Sequence, residues 1–231
     1  MRTVRILSGG AAHGLVEALR PEFEASAGCR IEGTFSAVGA MRDRLIAGEP
    51  ADLMILSRAL IEGLATSGLV VGASAADIGV VETAVAVRRG DPVPPLGDAA
   101  ALRAALLAAD AIHFPDPDQA TAGIHFAKVL RDLGIWEAVA GRLRTAANGA
   151  TAMRELANSK ARHPIGCTQA TEILSTPGIV LAAPLPAGCA LATVYSAAVT
   201  ANAEAPAEAA RLVGLLTGAA GRDTRRRLGF G

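Results

Sequence analysis

The chain has few cysteines, and their arrangement argues against two kinds of site. Its 231 residues include three cysteines, Cys29, Cys167 and Cys189, an odd number with no CxxC motif and no Cys/His spacing typical of zinc ligands. A disulfide framework or a structural zinc site would show paired or regularly spaced cysteines. We therefore expect three free, buried thiols, no disulfide framework and no metal site.

The sequence also lacks a surplus of charge and a long apolar run. Lys plus Arg and Asp plus Glu both total 22, so no overall basic surface is predicted that would bind nucleic acid or an anionic membrane. The one local basic run, RDTRRR near the C-terminus, is interpreted as the solvated face of a last helix. No window reaches the roughly 18 uncharged apolar residues of a membrane helix. We expect a soluble protein with no nucleic-acid partner and no membrane insertion.

The first residues loosely imitate an export signal. Arg2 and Arg5 are followed by the apolar stretch ILSGGAAHGLVEAL, but this stretch contains His13 and Glu17 and runs into Arg20. No small-residue cleavage site follows, as a secretory signal would require. The chain as given is therefore expected to be cytoplasmic, or periplasmic if a leader has been removed.

Short apolar runs alternate with longer segments of helical periodicity, which is typical of βα units around a largely parallel sheet. Strands are predicted for runs such as TVRILS, DLMILS and IVLAAPL. The first helix, AAHGLVEALRPEFEAS, is predicted to be interrupted at Pro21 and to end at Gly28. The length allows one domain or two small lobes. Because no flexible linker is present, two lobes would have to be joined by strands that cross between them.

Four predicted helices begin with small residues. The N–H groups of a first helical turn are unpaired and lie at the positive end of the helix dipole, so they can hold an anion. Small side chains let a ligand approach this backbone closely. Each start alone is more simply an ordinary helix cap, so a binding site depends on several of them acting together. The four starts are Ser8-Gly9-Gly10-Ala11, Ser36-Ala37-Val38-Gly39, Thr121-Ala122-Gly123 and Asn148-Gly149-Ala150-Thr151.

Several motifs occur in the order found in one protein family. They are GEPADLMILS, PDPDQATAGIHFAKVLRDLGIW and LTGAAGRDTRRRLGFG. With these motifs the chain resembles, over nearly its whole length, the type II periplasmic solute-binding proteins, specifically the molybdate-binding component of ABC importers and its relatives. The resemblance implies an α/β fold of two lobes with a ligand cleft between them, residues 1–83 and 193–231 forming lobe one and residues 84–192 lobe two. It also implies hinge closure of the lobes, and an ABC transporter permease as partner if the protein is exported.

At three positions the chain departs from the molybdate binders. The resemblance places hydroxyl-bearing residues of the molybdate pocket at Gly10, Val38 and Gln169, none of which carries a hydroxyl. The missing donors favour a larger organic anion, a di- or tricarboxylate, over a compact tetrahedral oxyanion. Molybdate or tungstate binding for ABC import is the weaker alternative. The residues expected to bind the ligand are Ser8, Gly9, Gly10, Ser36, Ala37, Val38, Thr121, Ala122, Asn148, Gly149, Thr168 and Gln169.

Two histidines leave an enzymatic alternative open. His13, near the start of the first helix, and His125, just after the Thr-Ala-Gly turn, could line the cleft and move a proton near neutral pH. Proteins similar to the family include an aconitate isomerase, which shifts an allylic proton within a tricarboxylate. In such an isomerase His13 or His125 is the expected catalytic residue, with Glu172 or Asp118 as weaker candidates. A ligand-sensing domain with a protein partner is a third possibility, and no cofactor is expected.

Overall fold

The computed structural model describes residues 2–231 and shows an α/β protein. The strands are β1 (Arg2–Gly9), β2 (Cys29–Ser36), β3 (Leu53–Ser57), β4 (Ala76–Arg88), β5 (Ala111–Pro115), β6 (Leu143–Ala146), β7 (Pro164–Gln169), β8 (Ile179–Pro184) and β9 (Ala192–Val199). The helices are α1 (His13–Ala27), α2 (Val38–Ile46), α3 (Arg58–Thr66), α4 (Ala99–Ala108), α5 (Thr121–Asp132), α6 (Trp136–Val139), α7 (Gly149–Asn158), α8 (Ala170–Leu174), α9 (Pro206–Thr217) and α10 (Arg222–Arg227).

The chain forms two compact units. The first contains the chain up to Val81 together with Thr193–Gly231, and the second contains Glu82–Ala192. Strand β4 begins in the first unit and ends in the second, so the chain passes from one to the other within a strand. It returns at β9, whose first residue, Ala192, is the last residue of the second unit.

The sheet of the first unit runs in the order β2-β1-β3-β9. Strand β1 is parallel to β2 and β3, and β9 is antiparallel to β3. Residues 53–56 of β3 are all fully buried, as expected for a strand covered on both faces. Because β1, β2 and β3 are parallel, their carboxyl ends meet at one edge, where Gly9 lies beside Ser36.

A buried carboxylate ties this sheet to helix α9. Asp52 is only 1% exposed and accepts hydrogen bonds from the N–H groups of Arg5 at 2.7 Å, Glu204 at 2.7 Å and Ala205 at 2.9 Å. Ala205 is the N-cap residue of α9. The Asp52 carboxylate thus satisfies N–H groups at a helix start, where negative charge is favourable. The aspartate of the GEPADL motif therefore has a structural role.

The sheet of the second unit runs in the order β4-β7-β5-β6, with β8 also paired to β4. Strand β5 is parallel to β6 and β7, whereas β4 is antiparallel to β7 and β8. Its core contains Phe114 and Phe126, whose ring centroids lie 5.4 Å apart in an edge-on arrangement. Since β5, β6 and β7 are parallel, their carboxyl ends lie at one edge of this sheet, where α5, α7 and α8 begin.

Helix α1 corrects one sequence prediction. An interruption is predicted at Pro21, but α1 continues from His13 to Ala27 with Pro21 inside it. A proline removes one N–H donor and disturbs one turn. Leu19 and Phe23, on either side of it, are both buried, and their burial favours a continuous helix. The predicted end is confirmed, because Gly28 follows with a φ of 64°, a left-handed conformation that suits glycine.

The three cysteines are free and buried, as the sequence predicts. None of the helices within residues 2–231 is both long and apolar enough to cross a membrane. In the same stretch, no cluster of three or more His, Cys, Asp or Glu side chains is arranged to hold a metal ion.

Candidate functional site

The first set of candidate residues lies at the carboxyl ends of β1 and β2. Gly9 and Ser36 are register partners at these ends. From Gly9 the chain enters a 3-10 turn, Gly10–Ala12, that leads into α1. From Ser36 it passes through Ala37 into α2. The parallel pairing of two strands thus brings together two of the predicted helix starts.

Gly9 is required by its neighbours at this edge. A Cβ atom on Gly9 would lie 2.7 Å from Cγ1 of Val38 and 3.3 Å from Cε1 of Tyr195. Both distances are too short for a comfortable contact, so a larger residue would displace one of these side chains. Val38 therefore covers the backbone of Gly9 with methyl groups.

Both helix starts lack a side-chain cap. The N-cap residues are Gly9 before the 3-10 turn and Ala37 before α2, and neither has a side chain that caps the turn after it. Ala37 and Val38 are buried and Gly10 is half-buried. These two turns thus keep uncapped N–H groups at the positive end of a helix, the environment that binds anions.

The two serines of this set differ in their surroundings. Ser8 is fully buried, and its hydroxyl donates a hydrogen bond of 2.9 Å to the carbonyl oxygen of Gly9. Ser8 therefore stabilises the turn. Ser36 is half-buried at the end of β2 and is the better placed of the two to donate to a ligand.

His13 is the first residue of α1, and its side chain is exposed. Its ring lies against Phe35, with ring centroids 4.5 Å apart and planes tilted by 45°. Phe35 precedes Ser36, so the imidazole is held next to the end of β2. A histidine held there can exchange a proton with solvent or with a bound acid.

An ion pair near the carboxyl end of β3 was not found from sequence. Arg58, the first residue of α3, pairs with Asp77 of β4, and Ser196 of β9 donates a hydrogen bond of 2.6 Å to Asp77. The hydrogen bond from Arg58 stabilises the ionised carboxyl and lowers the pKa of Asp77, an effect that Ser196 reinforces. This arrangement places a guanidinium group one residue after the end of β3. Its members are too far apart in sequence to be associated by any spacing rule.

In the second unit, α5 begins without a side-chain cap. Its N-cap residue is Ala120, whose side chain cannot accept a hydrogen bond from the first turn. Thr121 is half-buried and Ala122 is buried. Gly123 is required by packing, since a Cβ there would lie 2.1 Å from the carbonyl oxygen of Asp116. Asp118 is exposed in the loop that leads to α5.

The start of α7 is already occupied by side chains of the protein. Asn148 is the N-cap residue, and its Oδ1 accepts a hydrogen bond of 2.9 Å from the N–H of Thr151. The N–H of Ala150 donates to the carboxylate of Glu172. A Cβ atom on Gly149 would lie only 1.9 Å from Oε2 of Glu172. The sequence identifies this helix start but not its internal partner.

Glu172 is the most perturbed acid of this unit. It is 7% exposed, and its Oε2 accepts a hydrogen bond of 2.6 Å from the hydroxyl of Thr168. Burial raises its pKa to about 7, against the opposing effect of the Thr168 hydroxyl and the N–H groups of Ala150 and Gln169. A buried carboxyl with a pKa near neutrality is typical of functional sites.

Gln169 ends β7 with a side chain that lacks a partner. It is 2% exposed, and neither atom of its carboxamide hydrogen-bonds to any group within residues 2–231. Thr83 is its register partner on β4; it is 1% exposed, and its hydroxyl is also unpaired within that range. Buried polar groups are nearly always hydrogen-bonded, so two adjacent unpaired groups make this end of β7 a candidate site for a ligand.

His125 is held by the backbone. Its Nε2 lies 2.8 Å from the carbonyl oxygen of Cys189, and its ring is half-buried. If Nε2 carries the proton, this contact leaves Nδ1 as an acceptor. One ring nitrogen of His125 is therefore engaged by the backbone, whereas the ring of His13 is exposed.

Known proteins and solved structures resemble this chain over most of its length. The sequence profile of the bacterial extracellular solute-binding proteins matches residues 4–231. An aconitate isomerase from Pseudomonas sp. is 27% identical over 220 residues, which cover 90% of this chain and 79% of that protein. The periplasmic molybdate-binding protein of Azotobacter vinelandii has a TM-score of 0.81 at 17% identity, covering 99% of this chain and 98% of that one. The sulfate-binding protein of Mycobacterium tuberculosis H37Rv has a TM-score of 0.80 at 16% identity, covering 100% and 86%.

The structural similarity shows a type II periplasmic binding protein fold, as the motifs predict. At these low identities it shows the fold and not the ligand. The sequence profile, in contrast, covers nearly the whole chain. The protein therefore belongs to the bacterial extracellular solute-binding protein family.

Proposed function

We propose that this protein binds a small organic anion, a di- or tricarboxylate, with the helix starts at the strand ends of its units. The observation that carries this proposal is the unpaired carboxamide of Gln169, buried beside the unpaired hydroxyl of Thr83. Leaving such groups without partners costs free energy, which a ligand with both donors and acceptors would recover. The uncapped first turns of α2 and α5 supply N–H groups for ionised carboxylates.

A carboxylic acid fits these groups better than molybdate or sulfate does. At the positions of Gly10 and Val38 the chain offers no hydroxyl, and Val38 instead packs against Gly9. Gln169 can both donate and accept a hydrogen bond, whereas a fully ionised tetrahedral oxyanion only accepts. An acid that also carries a hydroxyl or a protonated carboxyl satisfies both sides of the carboxamide. Molybdate or tungstate is the weaker alternative.

A second candidate function is isomerisation of such an acid by an allylic proton shift. The 27% identity with an aconitate isomerase over most of the chain favours it. We assign the proton transfer to His13 before His125, because His13 is exposed at a helix start and His125 is bonded to the backbone. Uncapped N–H groups would stabilise the negative charge that develops on the carboxylate when the proton leaves.

For a protein acting in uptake, we propose an ABC transporter permease as partner. A ligand-sensing role with another protein partner is the remaining alternative to uptake and catalysis. A pure binding protein needs no proton-transfer group. The effect of replacing His13 therefore distinguishes a binding protein from an isomerase.

One experiment separates these functions. Proton NMR would follow cis-aconitate, trans-aconitate, citrate and molybdate, each incubated with micromolar protein in deuterated buffer, alongside a thermal-shift scan of the same compounds. Interconversion or deuterium uptake that scales with protein and is lost in His13→Ala or His125→Ala establishes an isomerase. A shift in melting temperature without turnover establishes a binding protein. A shift with molybdate alone would overturn the carboxylate proposal.

The matched control is His163→Ala. His163 lies in a loop before β7, where its backbone N–H donates to Asp110 at 3.1 Å. Alanine preserves that contact, so we expect turnover and binding to be unchanged. If His163→Ala also lost activity, the loss would point to impaired folding and not to a specific role of His13.

A further inference from the structure

The second unit places its own negative charge at the start of α7. This helix has 10 residues, and its first turn contains the N–H groups of Ala150 and Thr151. Ala150 donates to Glu172, and Thr151 donates to the side chain of Asn148. The carboxylate of Glu172 also fills the space above Gly149. An external carboxylate at this helix start would therefore meet an internal one.

Glu172 is bonded from two further directions. The hydroxyl of Thr168, on β7, donates to its Oε2 at 2.6 Å. The N–H of Gln169, the N-cap residue of α8, donates to the same carboxylate. Glu172 is the third residue of α8, so it returns to the start of its own helix as the glutamate of a capping box does. One carboxylate thus caps both α7 and α8.

The elements packed around Glu172 bring no compensating charge to it. Helix α8 and strand β8 contain no other titratable side chain. Cys167 of β7 is a buried thiol, and burial raises its pKa well above the usual value, so it stays neutral. The charged residues of α7, Arg154 and Glu155, are exposed. The carboxylate is therefore stabilised by hydrogen bonds and not by an ion pair.

The uncapped start of α5 contrasts with this arrangement. Its N-cap residue, Ala120, has no polar side chain to accept from the first turn, whereas α7 has two internal acceptors. The carboxamide of Gln169 is a neutral group, and it can both donate and accept a hydrogen bond. The second unit thus offers one helix start to an anion and fills the other itself.

We propose that Glu172 determines which ligand groups the second unit accepts: beside α7 it admits a hydroxyl or a protonated carboxyl, and it admits an ionised carboxylate only when Glu172 takes up a proton. This inference rests on the proposed binding of an organic anion and adds a specificity-determining residue to it. The physical reason is repulsion, since two carboxylates that share one buried site cannot both stay ionised.

A pH dependence of binding follows from this coupling. Burial places the pKa of Glu172 at about 7, so the free protein changes its protonation in the neutral range. If a polycarboxylate binds only to the protonated form, its affinity falls about tenfold between pH 6 and pH 8. An isosteric neutral residue at position 172 removes this dependence.

Binding of citrate and trans-aconitate at pH 6, 7 and 8 tests the coupling. We would measure the affinity by calorimetry for the unchanged protein, for Glu172→Gln and for the control Glu155→Gln, which alters an exposed residue of α7. Ionisation of the probe is common to all three proteins, so it cancels in their ratios. We expect Glu172→Gln to bind about tenfold more tightly than the other two at pH 8 and equally at pH 6. Equal pH slopes in all three would overturn the proposal.

A second readout needs no ligand. The amide nitrogen of Ala150 should titrate in NMR spectra with a midpoint near pH 7, because its N–H donates to Glu172, and this titration should vanish in Glu172→Gln. If neither acid shifts the melting temperature, the proposed function fails, while an Ala150 titration would still establish the internal anion. If the amide of Ala150 does not titrate, the inference is wrong, whichever ligand the protein binds. Should Glu172→Gln not fold, Thr168→Val serves instead, since loss of its hydroxyl should move the midpoint upward.

Discussion

Oε2 of Glu172 lies 1.9 Å from the position that a Cβ atom on Gly149 would take. Gly149 is the first residue of α7, where an alanine would otherwise be acceptable. We expect Gly149→Ala to destabilise the protein by about 1–3 kcal/mol, because the carboxylate must move away from its N–H partners. Urea unfolding at pH 7 measures this.

The control for that substitution is Gly63→Ala. Gly63 lies within α3, and nothing stands within 4 Å of a Cβ placed there. We expect a gain of about 0.5–1 kcal/mol, since alanine favours the helix over glycine. Similar gains in both variants would contradict the position assigned to Glu172.

The buried Glu172 also makes stability depend on pH. Its folded-state pKa of about 7 lies above the ordinary value of 4.5, so the folded protein holds a proton that the unfolded chain has lost between these values. Stability from this group is complete below pH 4.5 and is lost as the pH rises to 7. The loss is about 3 kcal/mol for a shift of this size. Denaturant unfolding of Glu172→Gln from pH 5 to pH 8 should lack that decline.

His113 produces the opposite slope. It is 6% exposed in β5, its ring nitrogens have no hydrogen-bond partner within residues 2–231, and Glu155 lies 3.9 Å from Nδ1. Burial, assisted by the nearby Arg144, lowers its pKa below the ordinary 6.5. The unfolded chain therefore binds the proton first, and stability falls as the pH drops through 6.5.

The variant His113→Leu tests this directly. Between pH 7 and pH 5 it should lose less stability than the unchanged protein, because it has no buried imidazole to protonate. The unchanged protein, measured at the same pH values, provides the comparison. A steeper loss in His113→Leu would mean that Glu155 stabilises a protonated His113 in the folded state.

Gln169 offers a test in which stability and binding move apart. Its buried carboxamide has no partner among residues 2–231. Replacing an unpaired buried amide by an apolar group of similar size removes a desolvation cost. We expect Gln169→Met to keep or raise the melting temperature of the free protein and to abolish the shift produced by citrate or trans-aconitate. A lower melting temperature with binding intact would remove Gln169 from the site.

Asp52 should be critical for folding and irrelevant to ligand chemistry. Its carboxylate accepts three backbone N–H groups in a buried site. We expect Asp52→Ala to cost about 3 kcal/mol or more, because buried donors are left unpaired. Asp43→Ala, which breaks only an exposed pair with Arg42, should cost less than about 1 kcal/mol. Comparable losses in urea unfolding would contradict this role.

The helices and strands that the sequence predicts best are those whose pattern of apolar residues matches a buried face. The runs TVRILS and DLMILS are strands β1 and β3, and Gly28 ends α1. Strand β6 is not predicted, because only one of its four residues LRTA is buried and the strand pairs only with β5. The interruption predicted at Pro21 is wrong for a related reason. The preference of proline against a helix interior is outweighed by the burial of the residues on either side of it.

The helix starts show the same division within the candidate site. Small residues after a strand mark the starts of α2, α5 and α7 in the sequence. Whether the N–H groups at these starts are already hydrogen-bonded depends on groups distant in the chain. Glu172, for example, caps α7 from 22 positions beyond Ala150. Residue spacing carries no signal for such a contact.

The sequence alone determines the α/β class, the family and the helix starts from which a site is built, because periodicity and motifs are local properties of the chain. Only the tertiary structure decides which of these starts are open. Strand register sets Gly9 against Ser36 and Thr83 against Gln169, and packing brings Glu172 to α7. Burial then decides which polar groups stay unpaired and which carboxyl has a raised pKa, since both follow from the exclusion of water by residues far apart in sequence.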